Sequence, residues 1–569
     1  MKLRRFALLA LPLAGAVAPM SLPRLANAAG TIIPDTNTDV ASPNCGLGHP
    51  AGSCSLRGAV DFANLSSGGD TIQLNALTYT LTIAPGGTDD NTGGDLELTQ
   101  SMTIQGAGAG QTIITASGSP WPDRIIEVDP LVVAPTVTIS DLTVTGGNTL
   151  GNEGDGGGIL NDASTLTLHN VVVDKNKANV FSGSGFNGGG VASESGTLTM
   201  TNSTISNNEA VGSGGGLYLF GPTTAANSFS NMLVTGNTAD QGVIFDAGGG
   251  GIYDGLTNGG GSASFTDLMV TKNHAPAMSG GGIYEENGLA GGAIYSKVTL
   301  SKNDAKNFGG GIYVNVADTG ATTVTMTNAT ITGNSVSSVS GDGQPAGSGS
   351  GGGVGLLVQG TASLTLNNAT ISGNTSTQPG AGVAEMASGD TVQFHNTLVV
   401  QNTDTTAGAT SNCSAGSSGG ALLVSRGYNL ADDTTCAFTG TGDRQGSTFN
   451  PNLGPLQDNT GPTDGAPGAT SPTLTEALPS GSIAIDTADP AGANNPATDE
   501  RGVTRPQGAQ SDVGAYEAIP PVFVAPGLPA AGHAGSGSQS SGPWALLILA
   551  ATTTLGAVGL RGAPGADPG

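Results

Sequence analysis

The sequence predicts an all-β solenoid of stacked parallel strands, and three observations carry that prediction. One strand is written eight times between about residue 165 and residue 402, from TLTLHNVVVDKN at 165–176 and LTMTNSTISNN at 198–208 to QFHNTLVVQN at 393–402. Aligned on their last Asn, these segments share columns. The last column is Asn176, Asn208, Asn237, Asn273, Asn303, Asn334, Asn374 and Asn402. Six places earlier stand Asn170, Asn202, Asn231, Asp267, Lys297, Asn328, Asn368 and Asn396; eight places earlier stand Leu168, Met200, Phe229, Phe265, Tyr295, Met326, Leu366 and Phe394. Columns of like residues mean that successive coils stack on one another. The third observation is a glycine triplet before an apolar residue between the strands, as in GGGI at 156–159, 249–252, 280–283 and 309–312. The repeat is roughly 32 residues, which suits a coil of three short strands with loops.

Within each repeat, apolar residues alternate with Thr, Ser and Asn, which is strand periodicity. Strands this short need neighbours to pair with. Coils lie about 4.8 Å apart, so an amide can donate to the Asn above and accept from the one below. Both Asn columns therefore read as ladders at turns. Glycine accepts positive φ and close approach, so the triplets read as sharp bends.

Taken in order, residues 1–28 read as a signal peptide, with Lys2, Arg4 and Arg5, an apolar core from Phe6 to about Ala18, and Ala26-Asn27-Ala28 as the cleavage site. Residues 29–68 read as the N-terminal cap, where Leu56, Ala59, Val60 and Ala63 recur at helical spacing. A short helix there would plug the open end of the solenoid. Residues 69–412 are the repeats, and 413–518 hold the last coils and a C-terminal module. Residues 519–542 are a Gly/Ser/Pro/Ala linker. Residues 543–560 form an apolar stretch about 27 Å long as a helix, long enough for a membrane anchor, with a short tail at 561–569. Export permits disulfides, and local pairing joins Cys45 to Cys54 and Cys413 to Cys436.

The formal charge is −26, and about −30 once the basic leader is removed. Nucleic acids and anionic polymers are poor partners on that balance. With 95 Gly and only 11% charged residues, the composition suits a long solenoid rather than a compact enzyme domain.

The segment CSLRGAVDFAN at 54–64, followed by GDTIQLNALTYTLT at 69–82, resembles the CSLREA-type N-terminal module of bacterial surface β-helices, with Gly58 where that family has Glu. The stretch from NPNLGPLQDN at 450–459 through DERGVTRPQGAQSDVGAYE at 499–517 is similar to the choice-of-anchor Q module. The GGGI-plus-Asn repeats resemble those of polymorphic outer-membrane proteins and other right-handed parallel β-helix proteins. These resemblances imply a right-handed parallel β-helix with a pectate-lyase-like winding, displayed on a cell surface. They imply no activity.

A polysaccharide lyase needs a base and a group that neutralises the substrate carboxylate; a glycoside hydrolase needs convergent carboxylates. The repeat body is poor in both, with no Arg between Arg124 and Arg426. His169 and His395 share an outward polar column and read as surface residues, as do Lys272 and Lys302. Asp254 and Glu285, each directly after a GGGIY motif, read first as a solvated surface pair, with Ca²⁺ binding or catalysis as the functional alternative. Tyr218, Tyr253, Tyr284 and Tyr313 follow the inward apolar residue of the glycine motif and so point outward. They read as a stack under a loop, or as an exposed aromatic platform for sugar rings. The expectation is a monomeric, non-catalytic adhesin or glycan-binding protein anchored in the cytoplasmic membrane by a C-terminal helix. No cofactor is expected except Ca²⁺ at Asp254 and Glu285. The alternatives are a polysaccharide lyase or glycoside hydrolase, and a passive surface stalk.

Overall fold

The computed structural model describes residues 29–520 except 42–43, 47, 67–68, 87–90, 119–120, 131–132, 151–153, 180–185, 222–225, 241–247, 257–261, 287–291, 317–320, 339–347, 359–360, 387–390, 416–421, 461–472 and 493–494. The expected signal peptide and the stretch 543–560 lie outside the described residues. No helix among the described residues is long and apolar enough to cross a membrane.

The repeats wind into a parallel β-solenoid whose described strands fall into three stacked sheets. The first sheet takes the long strands, such as Thr165–Asp174 and Ala226–Thr235. The second takes two-residue strands such as Lys177–Ala178, and the third takes strands that follow the glycines, such as Ile252–Gly255. Pairing is in register from coil to coil: Leu168 faces Met200, Met200 faces Phe229 and Phe229 faces Phe265. Parallel pairing begins before the repeats, with Thr31–Ile32 against Thr71–Ile72, and runs on to Arg444–Gln445.

Three corners turn each coil, and each uses a residue in the left-handed region. The first corner bends the long strand at Asn170, Asn202, Asn231, Asp267, Lys297, Asn328, Asn368 or Asn396, with φ between 49° and 57°. This explains the column of mostly Asn, the residue other than Gly that best tolerates αL. The second corner precedes the last Asn, at Lys175, Asn207, Lys272, Lys302, Gln401 or a Gly. Lys272 and Lys302 are exposed there, as the sequence implied. The third corner is the first glycine of each triplet, such as Gly249 at φ 76°. The third glycine meets a different demand: a Cβ on Gly251 would lie 3.0 Å from the Asn273 side chain.

That Asn belongs to the buried ladder. Asn237 Nδ2 donates to Asn273 Oδ1 at 3.0 Å, and Asn273 Nδ2 to Asn303 Oδ1 at 3.0 Å. Each Nδ2 also donates to a backbone carbonyl, and each Oδ1 accepts a backbone N–H, as Asn303 Oδ1 does from Asn273 N at 3.0 Å. The chain of amides runs from Asn176 through Asn402 to Asn412, beyond the repeats that defined it.

The interior is apolar. Leu168, Met200, Phe229, Phe265, Tyr295, Met326, Leu366 and Phe394 form one buried column, with Phe229 and Phe265 stacked at 4.6 Å. Helix α1, Leu56–Leu65, closes the N-terminal end with Leu56, Ala59, Val60 and Ala63 buried. Ser55 caps it, its Oγ accepting the N–H of Gly58 at 3.0 Å. Disulfides join Cys45 to Cys54 and Cys413 to Cys436, as expected.

The segment from 450 to 518 folds back against the outer face of the later coils. Glu500 accepts hydroxyls from Thr299 and Thr330 at 2.8 and 2.6 Å, and Ala515 N donates to Thr370 Oγ1 at 3.0 Å. His395 is covered by this segment, with its Nε2 at 3.3 Å from Asp489, and is not the surface residue the sequence suggested. His169, in the same column but beyond the reach of the segment, is exposed and bonded to Thr201 at 2.8 Å.

Candidate functional site

The tyrosine column lies on the face of its strands opposite the main core, as alternation required. It is nevertheless buried: Tyr218 is 7% exposed, Tyr253 5%, Tyr284 1% and Tyr313 3%. The rings pack on one another, with centroids 4.9 Å apart for Tyr218–Tyr253 and 5.4 Å for Tyr253–Tyr284, and Phe308 stacks on Tyr313 at 5.5 Å. Leu160 and Ala192 continue this second apolar cluster. The hydroxyls have protein partners: Tyr253 donates to Glu286, and Tyr284 accepts from Asn315 Nδ2 at 2.7 Å. Burial and Glu286 together push the Tyr253 hydroxyl well above the ordinary phenol range. An exposed platform for sugar rings is thus ruled out; the column is a structural stack.

Asp254 and Glu285 are neighbours in register on adjacent coils, as the sequence placed them. They are not solvated. Period two sets them on the same side as Ile252 and Ile283, inside the solenoid, where Asp254 is 1% exposed and Glu285 0%. The same column holds Leu219 before them and Val314 after them. Buried Tyr295 donates its hydroxyl to Glu285 Oε2 at 2.7 Å, and Leu256 N donates to Asp254 Oδ1 at 3.4 Å. Burial pushes Asp254 up to about 7. Burial and the two carboxyls raise Tyr295 further still. Two carboxylates on adjacent rungs favour holding one proton between them. The arrangement is therefore a sealed proton-holding pair closed off from any polymer outside.

A second acidic group was not foreseen. Asp95, Glu97 and Glu127, all buried, bring carboxylate oxygens within 4.8 Å of one another. The Arg124 guanidinium bonds Glu127 and lies 3.4 Å from Asp95 Oδ2. Arg57 of α1, itself paired with Asp39 at 2.8 Å, donates to the Asp95 carbonyl at 2.7 Å. The group thus joins the cap to the first coils. Its signal was present in the sequence as Glu97 and Glu127, which occupy the same rung position on successive coils.

The outward face of the long sheet, before its bend, carries no such charge. One column runs Thr138, Thr167, Thr199, Ser228, Ser264, then exposed Ile294, Thr325, Thr365 and Gln393. The next runs Ser140, His169, Thr201, Ser230, Thr266, Ser296, Thr327, Asn367. Neither contains Asp, Glu, Lys or Arg, on a chain with 43 acidic residues. Successive hydroxyls are spaced by the coil rise of about 4.8 Å.

Near the C-terminus, the RG, RP and DVGAYE elements converge into one buried charge network. Arg501 pairs with Asp499 at 2.6 Å and lies 3.7 Å over the Tyr516 ring, and Arg505 pairs with Glu517 at 2.9 Å. Burial pushes Asp512, beside them, up to about 6. These charges hold the module together.

No protein-family model and no curated protein matches the chain. Among solved structures it is similar to pectate lyase Pel9A, at 13% identity and a TM-score of 0.41 over 87% of this chain and 98% of that one. It is also similar to the A-module of the mannuronan C-5 epimerase AlgE6 of Azotobacter vinelandii, at 15% identity and a TM-score of 0.31 over 69% and 90%. A third is the catalytic domain of a GH87 α-1,3-glucanase in complex with nigerose, at 13% identity and a TM-score of 0.26 over 68% and 70%. At these scores the likeness concerns only the winding of the chain and carries nothing about its activity.

Proposed function

We propose that the chain is an exported, surface-displayed β-solenoid that binds extracellular glycans without cutting them. Its CSLREA-like and anchor-module-like segments, the leader at 1–28 and the apolar stretch at 543–560 fit display from the cytoplasmic membrane. The observation that carries the binding reading is the hydroxyl-rich face of the long sheet, whose two columns before the bend hold no Asp, Glu, Lys or Arg. Regular hydroxyls on a rigid sheet match a polymer that itself presents hydroxyls, and an otherwise acidic surface favours a neutral one. Sedimentation with insoluble neutral polysaccharides tests this. The whole chain should co-sediment, and T199K with S228K, which charge the face, should weaken binding at least tenfold. Pectin, alginate and hyaluronan should remain uncut. Release of sugars from any of these polymers would instead make the chain a lyase or hydrolase.

A further inference from the structure

A cavity of about 360 Å³ lies between the last coils and the fold-back segment. That volume falls in the range of small-molecule sites. Its walls are set by unusual backbone. Tyr428 sits at φ 57° and Asp486 at φ 55°, both in the left-handed region, which a bulky aromatic rarely adopts. Gly442 presses on the Tyr428 ring so closely that a Cβ would lie 2.4 Å from it. Asp443 is committed to the chain, accepting Asn429 N at 2.9 Å and the Gly440 N–H and Ser425 hydroxyl at 2.5 Å each.

The Thr487 hydroxyl is likewise committed, donating to the Ile483 and Ala484 carbonyls at 3.2 and 3.1 Å, whereas four other polar side chains keep free capacity. Arg444 Nη1 donates to the Ile483 carbonyl at 3.2 Å, and the guanidinium makes no ion pair among the described residues. Asp486 Oδ1 accepts from Gln510 N at 3.0 Å, which leaves its second oxygen available. The Tyr428 hydroxyl and the Gln510 side-chain amide also line the cavity without protein partners among the described residues. A guanidinium, a carboxylate, an amide and a phenol ring around one space form a mixed set of donors and acceptors beside an aromatic surface. Such a set suits a ligand whose every hydroxyl both donates and accepts. Two carboxylates beside one guanidinium disfavour an anion.

We infer that this cavity is a subsite for one or two sugar residues of a neutral glycan, with Arg444, Asp486 and Gln510 holding hydroxyls beside the Tyr428 ring. The inference rests on the glycan-binding reading and assigns that reading a discrete pocket. Calorimetric titration of the whole chain with cellobiose, maltose, mannobiose and N,N′-diacetylchitobiose tests it, with glucuronate and galacturonate as charged probes. At least one neutral disaccharide should bind, and Arg444→Gln and Asp486→Asn should each weaken it at least tenfold. Asn tolerates positive φ, so Asp486→Asn keeps the fold; Gln510→Ala, on a side chain with no protein partner, is the second check and should also weaken binding. Unchanged affinity in all three variants, no disaccharide binding, or preferential uronate binding would overturn the inference. Polymer binding that T199K abolishes while the cavity variants leave it intact would sink the pocket alone. Loss of all glycan binding would sink both readings.

Discussion

Asparagine meets two different demands in each coil. In the inner column each amide makes four hydrogen bonds: Asn303 accepts from Asn273 N and Nδ2, and donates to Val270 O and Asn334 Oδ1, all at 3.0 Å. Replacing Asn303 with Leu orphans buried groups on both sides and should lower stability by about 3 kcal/mol or more. At the outer bend the demand is conformational. Asn328 sits at φ 53° and its Nδ2 donates to the Thr498 carbonyl at 2.8 Å. Asn328→Leu should cost about 1–3 kcal/mol, whereas Asn328→Gly should cost less, because Gly adopts αL freely. Urea midpoints separate the two cases; equal losses for Leu and Gly would sink the conformational account. The sealed pair gives a pH prediction. Asp254 has a folded pKa of about 7, above its unfolded value, so the folded chain holds an extra proton between the two. Stability therefore falls as pH rises from about 4 to about 7 and levels off above that. Facing groups are Tyr295, whose ionisation lies far higher, and apolar Leu219 and Val314, so none compensates. Asp254→Asn should flatten that slope in melting temperatures measured from pH 4 to 8. An unchanged slope would place the titration elsewhere.

Secondary elements were legible where local spacing decides them. Leu56, Ala59, Val60 and Ala63 announced α1 and its buried face, and the shared register announced the inner aromatic column. What spacing could not give was whether an outward face is covered. Alternation put the tyrosines outside correctly, but their burial depends on Phe308 and on Glu286, which reaches across to the Tyr253 hydroxyl. The expectation of a solvated pair at Asp254 and Glu285 fails because period two sets both inside the solenoid, where protonation relieves the cost of burying charge. Arg57 shows a further limit. Its position on α1 was readable, but its pairing with Asp39 and its bonds to the Gly94 and Asp95 carbonyls, both at 2.7 Å, span distant sequence. Arg57→Ala leaves the buried Asp39 carboxylate with less compensation and should destabilise the N-terminal coils by about 3–5 kcal/mol. Limited proteolysis should then cut preferentially before residue 140. Wild-type resistance there would mean that the cap does not depend on this pair.

At the scale of the molecule, the two ends of the solenoid are treated differently: one is plugged by a helix, and the other is gripped along its flank by the chain's own C-terminal segment. That grip covers Thr299, Thr330, Thr370 and Leu398, one outward column of the later coils, while Val172, Leu233 and Met269 in the same column stay half-exposed. The sequence placed Arg501, Arg505, Asp512 and Glu517 in the RG, RP and DVGAYE elements; only the fold shows them locked together, because their partners are set by loops rather than by any period. Deleting 450–518 should uncover Leu398, Val400 and Leu430, lower the melting temperature and create binding of a hydrophobic dye. A deletion that leaves both unchanged would mean that the segment is ornamental. The amide ladder has a consequence of another kind. From Asn176 to Asn402 its rungs are 28 to 40 residues apart along the chain, yet successive side chains meet at 2.9–3.1 Å. The variable coil length leaves the stacking undisturbed, so a whole coil is an interchangeable unit. Excising residues 177–208, which touch neither the cap nor the C-terminal grip, should let Asn176 meet Asn237 directly. The protein would then stand shorter by about 4.8 Å. Duplication and loss of such units in the gene would set the length of the solenoid, one coil at a time, without rewriting either end.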